Sequence, residues 1–226
     1  MTTISTSPPS SASDEVAARL AAVRLRIAQA GGDLDLVRVV AVTKGFGPAA
    51  VAAARAAGLS DIGENYASEL RDKAPGPAGT RWHFLGSVQR NKVRALAPLV
   101  DVWQSVARLA EGQRIAQCAP GAQVLVQVDC TGLPGRNGCA PDDVPELVRA
   151  LSGIDLHVSG LMTVAAPGPG EASAAFEKVA RLADALGLPE RSMGMSDDLE
   201  AAVAAGTTMV RIGRALFGER SFGPPG

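Results

Sequence analysis

Between residues 37 and 213 the chain switches repeatedly between short β-rich runs and helix-like stretches. The runs are VRVVAVTK, LSDIGEN, RWHFLGS, VDVWQSV, QVLVQVDC, DLHVSGLMT, RSMGMS and TMVRIG. Between them lie stretches such as AAVAAARAAG, YASELRDKA, VQRNKVRALA and EASAAFEKVARLADALG. Such alternation calls for parallel strands joined by right-handed crossovers. Eight units in about 190 residues predict a compact α/β fold, a single (β/α)8 TIM barrel. An open doubly wound sheet is the competing topology, but no GxGxxG follows the first strand. The barrel is expected over residues 14–220, opened by an extra N-terminal helix, DEVAARLAAVRLRIAQAGG. Ser13 or Asp14 should cap that helix, and Gly31 and Gly32 should stop it. Residues 1–13, rich in Ser, Thr and Pro, read as a disordered arm, and residues 221–226 as a flexible tail.

Composition narrows the functional classes. The 226 residues are 46% hydrophobic and 20% charged, enough for one sizeable core. A net charge of -1 without a basic stripe argues against nucleic acid as a partner. No apolar stretch approaches the ~20 residues that span a bilayer. The first residues carry neither the basic nor the apolar region of a signal peptide, so a cytoplasmic protein is expected. Cys118, Cys130 and Cys139 are odd in number and lack CxxC spacing, which reads as reduced thiols and no metal site.

Lys44 ends the apolar run VRVVAVTK. Side chains alternate along a strand, so if Lys44 faces the barrel interior, Val42, Val40 and Arg38 do as well. It would then stand at the C-terminal mouth, where barrel active sites lie. The plainer reading is a lysine that leaves the strand and reaches water. The other end of the chain bears on this choice. RSMGMSDDLEAA and TMVRIGRALFG form the seventh and eighth strand–turn–helix units, where barrels commonly hold phosphate. Gly213 permits backbone amides to approach an anion, and the turn after it opens with a positive dipole end. Ser196 adds a hydroxyl, unless it is a plain helix cap with Asp197 and Glu200 as a capping box. Arg211 lies two residues before Gly213 and shares the inward face, as a ligand contact or an interior ion pair. An amine facing a phosphate cradle suits an aldehyde that carries a phosphate, and pyridoxal 5'-phosphate (PLP) has both groups.

AVTKGF, IGENY, WHFLGSVQRNK, GLMT, MGMSDDLEAAVAAGTTMVRIG and RALFG occur in order. Together they resemble the YggS/PROSC family of pyridoxal phosphate homeostasis proteins, from about residue 15 to 220. The resemblance implies a barrel like the N-terminal domain of alanine racemases. It implies that Lys44 carries PLP as a Schiff base, that Ser196 and the Gly213–Arg214 turn hold the phosphate, and that Arg211 faces the pyridine nitrogen. It also implies that Asn65, His83 and Met162 line the same mouth. Read without the family, Asn65 is as well a helix cap, His83 an interior imidazole and Met162 core packing. Two departures stand out. Arg214 replaces a common small hydroxyl residue, and the lysine is followed by Gly-Phe-Gly-Pro where many relatives have a Thr-Lys-Pro-like run.

Arginine offers donors only and stays charged, so Arg211 would leave a ring nitrogen unprotonated and the ring a weak electron sink. That argues against demanding carbanion chemistry, and the resemblance implies a PLP carrier in vitamin B6 homeostasis, storing PLP and delivering it to apo-enzymes. A weak racemase is the first rival. Racemases add a β-domain with a tyrosine base, whereas this chain has one tyrosine, Tyr66. A Schiff-base aldolase and a purely structural barrel are the others. The chain is expected to act as a monomer.

Overall fold

The computed structural model describes residues 11–166, 168 and 170–219. Residues 1–10 of the expected arm and all of the expected tail fall outside these described residues. Helix α1 runs Ala12–Gln29, and Ser11 is its cap, not Ser13 or Asp14. Ser11 Oγ accepts the Asp14 N–H at 3.2 Å, while the Asp14 carboxylate takes the Ser11 N–H at 3.1 Å. Asp14 thus serves as the third-position partner of a reciprocal capping box.

The eight expected strands all form. They are β1 (Arg38–Val42), β2 (Asp61–Glu64), β3 (Arg81–Phe84), β4 (Val102–Val106), β5 (Gln123–Val128), β6 (His157–Thr163), β7 (Glu190–Ser192) and β8 (Met209–Ile212). Each pairs in parallel with the next, and β1 pairs with β8 from Arg38↔Met209 to Ala41↔Ile212. The sheet is a closed barrel, and the open alternative is excluded. The crossover helices are α2 (Pro48–Ala56), α3 (Ala67–Lys73), α4 (Arg90–Leu96), α5 (Leu109–Cys118), α6 (Val144–Ser152), α7 (Glu171–Ala185) and α8 (Leu199–Ala204). A one-turn helix, α9 (Arg214–Phe217), follows the last strand.

Two cores result from the alternation of side chains. The outer one packs strands on helices and takes Val39 and Ala41 from β1 with Val51, Ile62, Leu70 and Phe176. Inside the barrel a smaller apolar cluster, Val102, Leu125 and Met162, is backed by Val164. Below it lies a polar floor. Arg38 donates to Glu190 at 2.5 Å, Arg81 to Gln123 at 2.6 Å, and Gln123 to Ser159 at 2.8 Å. Arg38, Arg81, Gln123 and Glu190 open alternate strands, the layer pattern of a closed barrel. The bottom is therefore plugged, and a ligand can approach the interior only from the C-terminal mouth.

The three cysteines are unbridged. Burial pushes the Cys130 and Cys139 thiols up, so both stay protonated near neutral pH.

Candidate functional site at the barrel mouth

Lys44 sits in a tight turn just past β1. The Phe46 N–H donates to the Thr43 carbonyl at 3.0 Å, closing four residues with Gly45 third at φ +77°. A type II turn requires that left-handed value at its third position, which glycine adopts without strain. Lys44 then faces a cavity of about 610 Å³ at the C-terminal ends of the strands. Asn65, Met162, Ser196, Arg211, Gly213 and Arg214 line the same cavity. Seven of the eight residues singled out in the sequence are thus brought together from β1, β2, β6, β7 and β8 or the turns after them.

His83 is the exception. Its side chain is fully buried, with Nε2 2.8 Å from Asp61 Oδ1 and Nδ1 2.6 Å from Gln104 Nε2. Burial drives its pKa down, so the ring is neutral. It faces inward as the alternation requires but one layer below the mouth, where Leu85, two residues on, lines the cavity.

The His83 contacts belong to a longer chain of hydrogen bonds. Arg211 Nη1 donates to Ser192 Oγ at 2.7 Å, and Ser192 Oγ to Gln104 Oε1 at 2.7 Å. Gln104 then donates to neutral His83, whose remaining N–H donates to Asp61. Burial works to raise the Asp61 carboxyl, but the bonds from His83 and Ser60 outweigh it and hold it below its ordinary value. Every donor in the series points the same way, from the Arg211 cation to the Asp61 anion. Arg211 also donates to the carbonyls of Ser192 at 2.6 Å and Thr163 at 2.7 Å. Burial pushes its guanidinium down to about 10, which leaves it charged near neutral pH. Three of its five N–H groups are taken by these oxygens, so others remain for a molecule in the mouth. The interior ion-pair reading fails: the series reaches a carboxylate only through three uncharged side chains.

At the ends of β7 and β8, Ser196 is not the cap of α8. The capping position there is Asp198, and Ser196 Oγ instead accepts the Ala215 N–H of α9 at 3.2 Å. Glu200 turns away to Arg26 on α1, at 2.6 Å. Asp197 is ion-paired with Arg214 on the exposed rim. Two of the three carboxylates of SDDLE are thereby neutralised or directed elsewhere, and the third, Asp198, accepts the Met195 N–H at 2.5 Å. The same ion pair occupies the Arg214 guanidinium that the sequence suggested as a charge contact.

Asn65 does not cap α3, whose capping position is Tyr66. Its Oδ1 is buried with no hydrogen-bond partner among the described residues, an acceptor left open at the cavity wall. The Asn65 backbone is pressed against Gly86, where an added Cβ would lie 1.9 Å from the Asn65 carbonyl oxygen. Only glycine admits that approach. The loop GLPGRNG lies on the mouth face and brings Arg136 and Asn137 to the cavity beside Gln127 and Asp129 of β5 and its end. Asn137 donates to Gln127 Oε1 at 2.8 Å and Gln127 returns a bond to the Asn137 carbonyl at 2.9 Å. These four were not assigned individually from the sequence, because polar loop residues carry no periodicity that marks a direction.

A closed parallel barrel whose mouth carries an amine past β1 and an anion-suited turn past the neighbouring β8 defines a recognisable class. Residues 17–221 match the family described as "Alanine racemase, N-terminal domain". The chain is 40% identical over 228 residues to the pyridoxal phosphate homeostasis protein of Pseudomonas aeruginosa, covering 96% of this chain and 99% of that one. It is 43% identical over 209 residues to the protein so named in Deinococcus radiodurans, covering 89% and 99%. The solved structure of PipY from Synechococcus elongatus with PLP bound superposes with a TM-score of 0.77 at 32% identity, over 90% of this chain and 100% of that one. The chain belongs to the pyridoxal phosphate homeostasis protein family, on the alanine racemase N-terminal barrel.

Proposed function

We propose that this chain binds PLP through Lys44 and serves in cytoplasmic vitamin B6 homeostasis, holding PLP and releasing it to apo-enzymes. The observation that carries the reading is one cavity lined by both Lys44 and the turns of Ser196 and Gly213. The residues fit the group. The cavity is of ligand size, and its lining holds Lys44, Arg136, Arg211 and Arg214 against Asp129, Asp197 and Glu219, four cations to three carboxylates. The open Asn65 Oδ1 suits a hydroxyl or other donor. When bound, PLP supplies an aldehyde for an amine and an electron-poor pyridine ring.

The residues divide the work. Lys44 presents the amine, and Leu85, Met162 and Val164 supply apolar wall to the same mouth. Ser196 orders the α9 turn by accepting the Ala215 N–H, Leu216 and Phe217 donate to the Gly213 carbonyl, and the Gly213 and Arg214 N–H groups at the start of the turn are the donors that would meet a phosphate. Arg211, held by Ser192 and Thr163, would meet a bound ring as a fixed cation that can donate but not accept, which would keep a ring nitrogen unprotonated and suit carriage over carbanion chemistry. Tyr66 is 57% exposed and lies outside the cavity, and the described cavity lining includes no histidine. This favours a carrier over a two-base racemase.

The deciding experiment is borohydride reduction of the freshly purified protein followed by peptide mapping. The added mass is expected on Lys44, and transfer of PLP to an apo-enzyme should follow from the unreduced protein. A reduced protein with no label on that lysine overturns the reading.

Ser196→Ala should weaken PLP binding by about 1 kcal/mol, the worth of one neutral hydrogen bond, as read by equilibrium titration. Arg211→Lys keeps the charge but loses the planar fork that holds Ser192 and Thr163 together. Urea unfolding should show a loss of about 1–3 kcal/mol from the carbonyls left unpaired.

A further inference from the structure

Behind Lys44, in the layer between β2 and α3, lies a buried charged cluster that the sequence does not flag. Lys73 closes α3 and is 3% exposed. A lysine in the last turn of a short helix ordinarily extends its ammonium to water. Here the ammonium is turned inward, and its three donors meet three oxygens: Glu64 Oε1 at 2.7 Å, Glu69 Oε2 at 2.7 Å and the Thr43 carbonyl at 2.8 Å. Glu64 is fully buried and also accepts from Thr43 Oγ1 at 2.5 Å. Glu69 Oε2 accepts the Gly45 N–H at 2.8 Å. Burying these charges costs desolvation that apolar side chains of similar size would avoid, so the cluster calls for a reason beyond stability.

Its contacts with the backbone supply one. The Thr43 carbonyl belongs to the peptide group that precedes Lys44, and the Gly45 N–H to the peptide group that follows it. The planes on both sides of a Cα set its φ and ψ, and hence the direction of its Cα–Cβ bond. Lys73 grips the first plane and Glu69 the second, while Lys73 and Glu69 are tied to each other and Glu64 anchors Lys73 to β2. We propose that Glu69 and Lys73, backed by Glu64, are positioning residues for Lys44, holding the peptide groups on either side of it so that its amine is aimed into the mouth before any ligand arrives. The proposal rests on the reading of Lys44 as the PLP-binding amine. Its physical benefit is preorganisation: a lysine whose backbone is already set loses less freedom on binding.

Glu69 is the residue to test, because its side chain is 28% exposed and its removal still leaves Lys73 paired with Glu64. Three variants of the full chain separate the possibilities. Glu69→Ala removes the acceptor for Gly45. Glu69→Asp keeps the charge but is one methylene too short. Glu69→Gln loses the charge but keeps an oxygen at the right reach. Two readouts are taken: PLP affinity by visible absorbance, and, in protein stripped of PLP, the rate of acetylation of Lys44 by acetic anhydride relative to Lys92 and Lys178, mapped by peptide mass. Thermal melting checks the fold.

The expected pattern is a roughly tenfold loss of affinity in the Ala and Asp variants, the scale of one hydrogen bond to a charged group. Lys44 labelling should change in both while Lys92 and Lys178 hold steady, and the Gln variant should stay within about threefold of the parent, since a neutral bond is about half as strong. Should Glu69→Ala fail to fold, the contrast between Asp and Gln still decides. Unchanged affinity and Lys44 labelling in the shortened variants overturns the proposal, as does an Asp variant that behaves like the parent while Gln does not. If the parent itself takes up no PLP, the functional reading fails, and the Lys44 labelling still judges the clamp separately.

Discussion

Lys44→Ala should abolish the borohydride-fixed attachment of PLP while leaving the barrel folded. Lys44 is the one lysine among the described residues that line the mouth cavity, so no neighbour stands ready to take its place. The turn that carries it is held by the left-handed Gly45 and the Thr43–Phe46 backbone bond, both of which alanine leaves in place. The β1 residues beneath keep their packing, with Val39 and Ala41 in the outer core. A substitution at such a mouth position is expected to change stability by no more than about 0.5 kcal/mol. The reduced variant should carry no added mass, and its melting curve should overlay that of the parent. An adduct of undiminished yield on any other residue would remove Lys44 from its role.

Lys73→Met should be the most destabilising of the substitutions considered, by about 3–5 kcal/mol near neutral pH. Met matches the stem of lysine but removes three hydrogen bonds at once and leaves Glu64, already fully buried, without its cation. The deficit has a pH signature. Burial raises the Glu64 carboxyl even in the parent, where the bonds from Lys73 and Thr43 oppose it. Without Lys73 the folded-state value must rise further. A carboxyl whose pKa is higher in the folded than in the unfolded state binds more protons when folded, so stability falls as pH rises above the unfolded value. The gap between variant and parent should therefore widen from about pH 5 to pH 8 and narrow on acidification, with the unfolded carboxyl near 4.3 as the lower bound. Urea titrations at several pH values measure it. A gap that is flat with pH, or that grows toward acid, would show that Glu64 is not the group left exposed to the loss.

The fold was legible because its signals are local. Strand β1 could be placed within two residues from VRVVAVTK, and so could β2, β4, β5, β6 and β8, whereas RWHFLGS ran three residues past the end of β3 and RSMGMS four past the end of β7. The site was legible where a residue sits at the C-terminal end of a strand or on a turn with distinctive chemistry: Lys44, Ser196, Arg211 and Gly213. His83 shows where such reasoning stops. Alternation states that its side chain faces inward, but depth along the barrel axis depends on the stagger between strands, here Gly63↔His83 and His83↔Val102. One step of the alternation is about 6.6 Å along the strand, enough to separate a mouth residue from a buried one. Ser196 followed local capping rules on paper, yet its hydroxyl is taken by Ala215, nineteen positions away in the chain.

What the amino-acid order determined by itself is the eightfold alternation, and with it a parallel barrel whose C-terminal rim carries an amine and an anion-suited turn. Period-two patterning, helix-forming stretches and glycine at turns need only near neighbours to be expressed. Tertiary structure alone decided which inward side chains reach the mouth, how Arg211 is linked through Ser192, Gln104 and His83 to Asp61, and that Lys73 turns inward to grip the backbone around Lys44. Those choices depend on closure of the ring, which brings distant oxygens within hydrogen-bonding reach and removes the water that would otherwise have competed for each charge.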